Sequence, residues 1–360
     1  MIEAPAIATS RPSIAREFLF QQVPLILATL ILGVIAAHWQ HGFVPDGERA
    51  FPIAGVRVPV WHVIWMGAWT GYTMALVGEA AGIFALPYSM SVLQFSNQHV
   101  TPSTQLLTFL NPFGALLGFR RSGQWNLDFA RWICIGGAVG GLIGPFLRST
   151  LLAAADPFRF TLGLALAFVG FNLLYKSMHG FSSAARAAGT NKAPAAADGP
   201  QAKFHIRTLS KQGGRLTIGY LDDTWTLTQW KLFMTGALVG IIASALGVGG
   251  GFLLVPIFVA IYRLPMYVLP AATIPFVIVL SAVGLLTYSL VLPMFGAKAI
   301  PPEWAWGFFA ASGGIFGSWV ASKTQLYVPE HLLKLMLGAV TAVVGVLYVM
   351  SLFVALPFRV

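Results

Sequence analysis

The chain has 360 residues, of which 57% are hydrophobic and 9% charged, with a formal net charge of +10. Soluble domains average about 25% charged residues, and the apolar runs here repeatedly reach about 20 residues, enough to cross a hydrocarbon core of roughly 30 Å. A water-soluble domain is therefore excluded, the basic residues are assigned to membrane topology rather than to nucleic acid, and the unbroken runs argue against an outer-membrane β-barrel.

In chain order the apolar segments lie at about 18–38, 61–97, 103–119, 131–152, 159–178, 230–262, 267–293, 304–322 and 331–356. The first follows Arg11 and Arg16 and is too long for a signal-peptide core, so residues 1–60 are expected to hold a retained transmembrane helix and a loop. A first transmembrane repeat follows over 61–180, a polar linker over 181–229, and a second repeat over 230–360.

The repeat is visible in the glycines. GAWTGYTMALVGEAAGIFALP (Gly67 to Pro87) lies without gaps over GALVGIIASALGVGGGFLLVP (Gly236 to Pro256), so that Gly78 and Gly82 fall on Gly247 and Gly251. Further on, Gly140 and Gly144 match Gly313 and Gly317, and Gly163 and Gly170 match Gly338 and Gly345. Paired, glycine-interrupted apolar segments in two halves are the sequence mark of a transporter's binding site.

The linker begins as a flexible Ala/Gly/Pro-rich stretch. It then alternates around Gly213-Gly214, with Phe204, Ile206, Leu216, Ile218 and Tyr220, which predicts a β-hairpin serving as a clasp or dimer contact. Its six cations, from Arg186 to Arg215, place it in the cytoplasm. Counting back, segment 61–97 starts and ends outside, whereas 230–262 starts and ends inside. Both must turn back, at 78–82 and 247–251. The expected fold is an all-α polytopic membrane protein with two inverted repeats of about five elements each, plus the extra N-terminal helix. The broken segments, with legs of about 15–17 residues, satisfy the count either as two crossings or as a re-entrant hairpin.

Val248-Gly249-Gly250-Gly251 cannot remain helical, because each glycine costs about 1 kcal/mol relative to alanine. A helix restarting there presents free N–H groups and its positive dipole end, which suits an anion. Freed backbone at membrane depth is tolerated where it is buried or lines a wet cavity. Gly78, Gly82, Gly247, Gly249, Gly250 and Gly251 are therefore candidate substrate-binding positions, while Gly140, Gly144, Gly313 and Gly317 are assigned to close helix packing.

Glu79, in the first break, is the one carboxylate expected within the apolar body and the candidate proton-coupling group. Polar residues cluster after each break. Gln94, Thr104, Gln105 and Asn111 are candidate contacts in the first half, and Thr273 in the second. TPSTQ aligns with LPAAT, so that Pro102 meets Pro270 and Gln105 meets Thr273. Thr101 or Ser103 equally suits an N-cap. Cys134 is read as a small core residue. No cofactor or metal is expected.

These residues resemble the TauE/SafE family of sulfite exporters. The match is strongest in GALVGIIASALGVGGGFLLVPIFVAIYRLPMYVLPAATIPFV and covers both halves, roughly 61–178 and 230–356. The first half departs from the glycine triplet with GEAAG. The resemblance implies a permease of the bacterial inner membrane for sulfite, sulfonates or related organic acids. An anion channel, or a carrier of a non-sulfur acid, is the alternative. An enzyme is disfavoured, since no HExxH, Asp pair or GxSxG is present, and the absence of a GxxxxGK[ST] loop argues against ATP-driven transport.

Overall fold

A computed structural model describes residues 16, 18–41, 48–77, 81–116, 125–187, 206–220, 223–265, 268–324 and 330–353. A π-helical turn, Phe18–Gln22, opens into α1, Val23–His41. Two strands follow, β1 (Glu48–Phe51) and β2 (Val56–Pro59), paired antiparallel with Phe51 opposite Val56. The first half continues with α2 (Val60–Val77), α3 (Gly82–Ser91), α4 (Val100–Leu110), α5 (Leu127–Ser149) and α6 (Ala155–Ala187).

Strands β3 (Arg207–Gln212), β4 (Arg215–Tyr220) and β5 (Asp223–Thr228) join the halves. The second half holds α7 (Gln229–Leu246), α8 (Gly251–Ala260), α9 (Pro270–Leu286, extended by a π-helical turn, Thr287–Val291), α10 (Trp304–Thr324) and α11 (Glu330–Met350).

Among the described residues, five helices are long and apolar enough to cross a membrane: those at 18–40, 127–149, 155–175, 229–246 and 270–294. Their outer faces leave Leu27, Ile31, Leu142, Leu164, Phe168, Leu238 and Leu286 at least two-fifths exposed. Such rows are too apolar for water and suit lipid.

The broken segments have unequal legs, which corrects the even division expected from sequence. Helices α2 and α7 have 18 residues each, about 27 Å at 1.5 Å per residue, whereas α3 and α8 have ten, about 15 Å. A ten-residue leg covers half the hydrocarbon core, so by length neither short helix crosses it.

The halves interlock rather than sitting side by side. Helix α2 packs on α10, α5 on α7, and α6 on α11. Helix α4 contacts both α9 and α10. Glycines set these close approaches: a Cβ added at Gly140 would lie 2.5 Å from Gly240 backbone atoms, and one at Gly144 2.7 Å from Ala245 N. Added at Gly313 or Gly317, it would run into the carbonyls of Ile64 or Ala68 on α2. Small residues here let backbones touch, the packing role assigned to them from sequence.

The linker forms a three-stranded antiparallel sheet in the order β3-β4-β5, one strand more than the expected hairpin. Gly213 and Gly214 turn it with φ of +58° and +74°, as a tight two-residue hairpin requires. Leu216, Ile218 and Leu227 are buried beneath it. Asn126 caps α5 by accepting from Phe129 N, and its amide donates to Ile206 O at 3.3 Å. Lys211 pairs with Asp128 at 2.6 Å. The sheet thus ties the start of α5 to the start of α7. Phe204, also expected in the hairpin, lies outside the described residues.

Candidate functional site

The second break is built as its sequence demands. Helix α7 ends at Gly247, in the left-handed region at φ +79°, with Gly247 N and Val248 N both donating to Ala243 O. Gly249 and Gly250 follow at φ +80° and +76°, and α8 starts at Gly251. A residue with a Cβ in this region costs roughly 1–2 kcal/mol, so three such positions in four residues require glycine. Every residue from Gly247 to Phe252 is buried. Among the described residues, the N–H groups of Gly250, Gly251 and Phe252 meet no backbone acceptor. They are the orphan donors of a helix start.

Polar side chains of α4 converge on this break. Thr104 Oγ1 donates to Gly247 O at 3.0 Å, and Gln105 Nε2 donates to Ser244 O and Ser244 Oγ, each at 3.1 Å. Thr108 Oγ1 and Ser281 Oγ are 3.0 Å apart, linking α4 to α9. Tyr288 donates its hydroxyl to Ser244 O at 3.1 Å. Thr104, Gln105, Thr108, Ser244 and Ser281 are all essentially inaccessible. Gln105 Oε1 on α4 and Thr273 Oγ1 on α9 are among the buried polar atoms without a hydrogen-bond partner among the described residues. Buried polar groups are ordinarily satisfied, so such atoms call for an explanation.

The two breaks meet. A Cβ at Gly82, where α3 begins, would lie 2.8 Å from Val248 Cα, 2.9 Å from Gly247 O and 3.0 Å from the Thr108 methyl. Gly250 faces α9, where a Cβ would stand 2.7 Å from Phe276 and 3.0 Å from Leu280. Thr273 lies one helical turn before Phe276 on that same helix.

The remaining candidates are placed differently. Gln94 is exposed; its φ of +59° turns the chain after α3, and its amide caps Ser91 O at 2.7 Å. It is therefore not part of the buried cluster. Asn111 sits about 10 Å further along α4 than Thr104, at the crossing of α2 and α10, 3.2 Å from a Cβ placed on Gly314. Its side-chain amide has no described partner. Gly78 and Glu79 lie outside the described residues. Thr101 and Ser103 are inside α4 rather than at its N-cap, which is His99. Their hydroxyls accept from Arg148 Nε at 3.2 Å and Glu303 N at 2.8 Å.

Three contributors escaped the sequence reading. Ser244 hides in the apolar run before the glycines. Arg148, fully buried, also lies within an apolar run, and that position is itself the signal. Glu303 corrects the expectation that Glu79 alone is a carboxylate in the apolar body. It is 0% exposed, and its Oε2 accepts from Ile53 N at 2.9 Å and Ala54 N at 3.2 Å, fastening the β1–β2 turn over the start of α4. An apolar cavity of about 140 Å³, lined by Trp69, Phe84, Tyr88 and Leu166 among others, is separate from the polar cluster.

A multi-pass helical bundle with lipid-suited flanks and a buried, glycine-broken polar centre has the build of a membrane transport protein. The family model described as Sulfite exporter TauE/SafE matches residues 63–348, well over half the chain. The chain belongs to the TauE/SafE family and is a membrane transporter rather than an enzyme. It is similar to two proteins of Xylella fastidiosa, each described as a probable membrane transporter protein. The one from strain Temecula1 is 24% identical over 286 residues, and the one from strain 9a5c is 23% identical over 288. Each alignment covers 78% of this chain and 91% of the relative. No solved structure matches.

Proposed function

We propose that this protein is a secondary transporter of the bacterial inner membrane that moves a small sulfur-containing anion, such as sulfite or an organosulfonate. The observation that carries this reading is the buried glycine break, whose free N–H groups of Gly250, Gly251 and Phe252 adjoin the polar face of α4. Backbone donors at a helix start favour negative charge. Gln105 Oε1 and Thr273 Oγ1 are two of the buried polar atoms without a partner among the described residues, and we assign them to a ligand or its water. The family description supplies the sulfur oxyanion.

In this reading the two halves are inverted repeats, the sheet at 207–228 is cytoplasmic, and alternating access rocks one half against the other around the break. Glu79 takes up the coupling proton. Its substitution Glu79→Gln then preserves exchange between two loaded compartments and abolishes uptake driven by a pH gradient; normal pH-driven uptake would reduce Glu79 to a structural residue. A cysteine at Ser210 is shielded from an impermeant maleimide in intact cells, and labelling from outside would sink the assigned topology.

Counterflow tests the transport class. Proteoliposomes loaded with unlabelled sulfite and diluted into a trace of labelled sulfite accumulate label transiently above equilibrium if the protein is a carrier. Flux that only dissipates a gradient identifies a channel instead.

A further inference from the structure

Arg148 brings a positive charge into the protein interior and, among the described residues, meets no carboxylate there. It lies at the end of α5 and is 2% exposed. Its Nε donates to Thr101 Oγ1 at 3.2 Å, a terminal nitrogen donates to Leu152 O, and the guanidinium carbon stands 4.0 Å from the centre of the Phe158 ring. A guanidinium has five N–H donors. Two are used, which leaves three, and among the described residues none of the three finds an acceptor.

The ion pair found among those residues, Lys211–Asp128, belongs to the sheet and does not involve Arg148. Nearby Tyr288 spends its hydroxyl on Ser244 O and supplies no negative charge. Burying an unpaired charge is costly, and inside a membrane it marks function by default.

The position of Arg148 connects it to the break. Thr101, which accepts from its Nε, is packed against Gly247, where a Cβ would stand 2.8 Å from Thr101 O and 2.9 Å from its Cα. Arg148, Thr101 and Gly247 therefore form a continuous contact from the end of α5 to the glycine turn.

We propose that Arg148 is the fixed countercharge of the transported anion and that the substrate completes the ion pair this protein leaves open. This rests on the anion-carrier reading above. A planar fork of donors pairs bidentately with two oxygens of one group, so Arg148 selects sulfonate, sulfite or carboxylate heads over neutral molecules of the same shape. Methanesulfonate and dimethyl sulfone separate these, since they have similar size and both carry sulfonyl oxygens but only the first is charged.

Calorimetric titration of the purified full chain decides the matter. The wild type should bind sulfite and methanesulfonate and take dimethyl sulfone at least about 30-fold more weakly. Arg148→Gln should bring methanesulfonate down to the level of the sulfone, while Arg148→Lys, which keeps the charge but loses the fork, should weaken methanesulfonate about fivefold and still prefer it. Should Arg148→Gln not fold, Arg148→Lys decides alone, and a folded Arg148→Lys without anion preference overturns the proposal. Wild-type affinity for methanesulfonate in Arg148→Gln, or an equal fall for anion and sulfone, assigns Arg148 to holding Thr101 and Leu152 and likewise overturns it. A wild type that binds neither sulfite nor methanesulfonate removes the anion-carrier reading itself, a result distinct from failure of the variants alone.

Discussion

Helices α4 and α9 each carry a proline in the first turn, Pro102 or Pro270, three residues before Gln105 or Thr273, yet they differ in what they bury. Helix α4 buries Thr101, Ser103, Thr104, Gln105 and Thr108 in eleven residues. Over its seventeen residues α9 buries Thr273 and Ser281, and the rest of its buried face is Pro, Ala, Gly and branched or aromatic apolar residues. The breaks differ in the opposite sense: the second has three glycines at positive φ, where the first reads GEAAG.

The first half therefore provides the denser row of side-chain hydroxyls and an amide, and the second provides backbone freed from helix together with Ser244, Ser281 and Tyr288. Thr104 on Gly247 O and Gln105 on Ser244 O are the points where the two contributions join. Positions that align between the two halves do not need the same chemistry: where one half supplies donors, the aligned positions of the other are free to pack.

Removing the backbone contribution has the largest expected effect. Gly250→Val places a branched side chain at φ +76°, 2.7 Å from Phe276, with about 1–2 kcal/mol of left-handed strain before any clash. Sulfite affinity should fall more than 100-fold in protein that still inserts, and unchanged affinity would return these glycines to packing. Gln105→Leu attacks the side-chain contribution. Ser244 O keeps its bond from Tyr288, so stability should fall by only about 1 kcal/mol, while affinity should fall about tenfold.

Thr273→Val is subtler. The unpartnered hydroxyl is replaced by a methyl of the same shape, so thermal stability should hold or rise by up to about 1 kcal/mol. A threefold loss of affinity beside that gain would mark the hydroxyl as a ligand group, and unchanged affinity would leave it a spectator. Gly240→Ala should act least on the site. A Cβ there meets Gly140 Cα at 3.1 Å, so about 1 kcal/mol of stability is lost by overpacking and affinity stays put. An affinity loss as large as that of Gly250→Val would erase the distinction between packing and site glycines.

Much of this was legible in the residues. The second break falls on the glycines that predict it, because three positive-φ positions within four residues strongly favour glycine. The apolar runs locate the long helices, although α6 continues nine residues past the run that ends at 178, to Ala187. The unequal legs of the broken segments were not legible, since a run such as Gly251 to Tyr262 carries no apolar signal for where α8 stops within it. The β1–β2 pair was hidden because Val56, Val58 and Val60 lead straight into α2, and the strand Asp223–Thr228 because a run of threonines reads as linker. Arg148 and Glu303 stood in view but resembled the charges that bound membrane segments. Only the fold reveals that both are buried on the first turn of α4, one beside Thr101 and the other beside Ser103.

In the proposed site one anion sits between the freed backbone of the second half and the polar face of α4. Selenite, the heavier analogue of sulfite, makes that position directly visible by anomalous scattering from crystals of the full chain. One selenium peak is expected within about 4 Å of the N–H groups of Gly251 and Phe252 and beside Gln105. A peak confined to the apolar cavity by Trp69 and Tyr88, or none at saturating selenite, would contradict it.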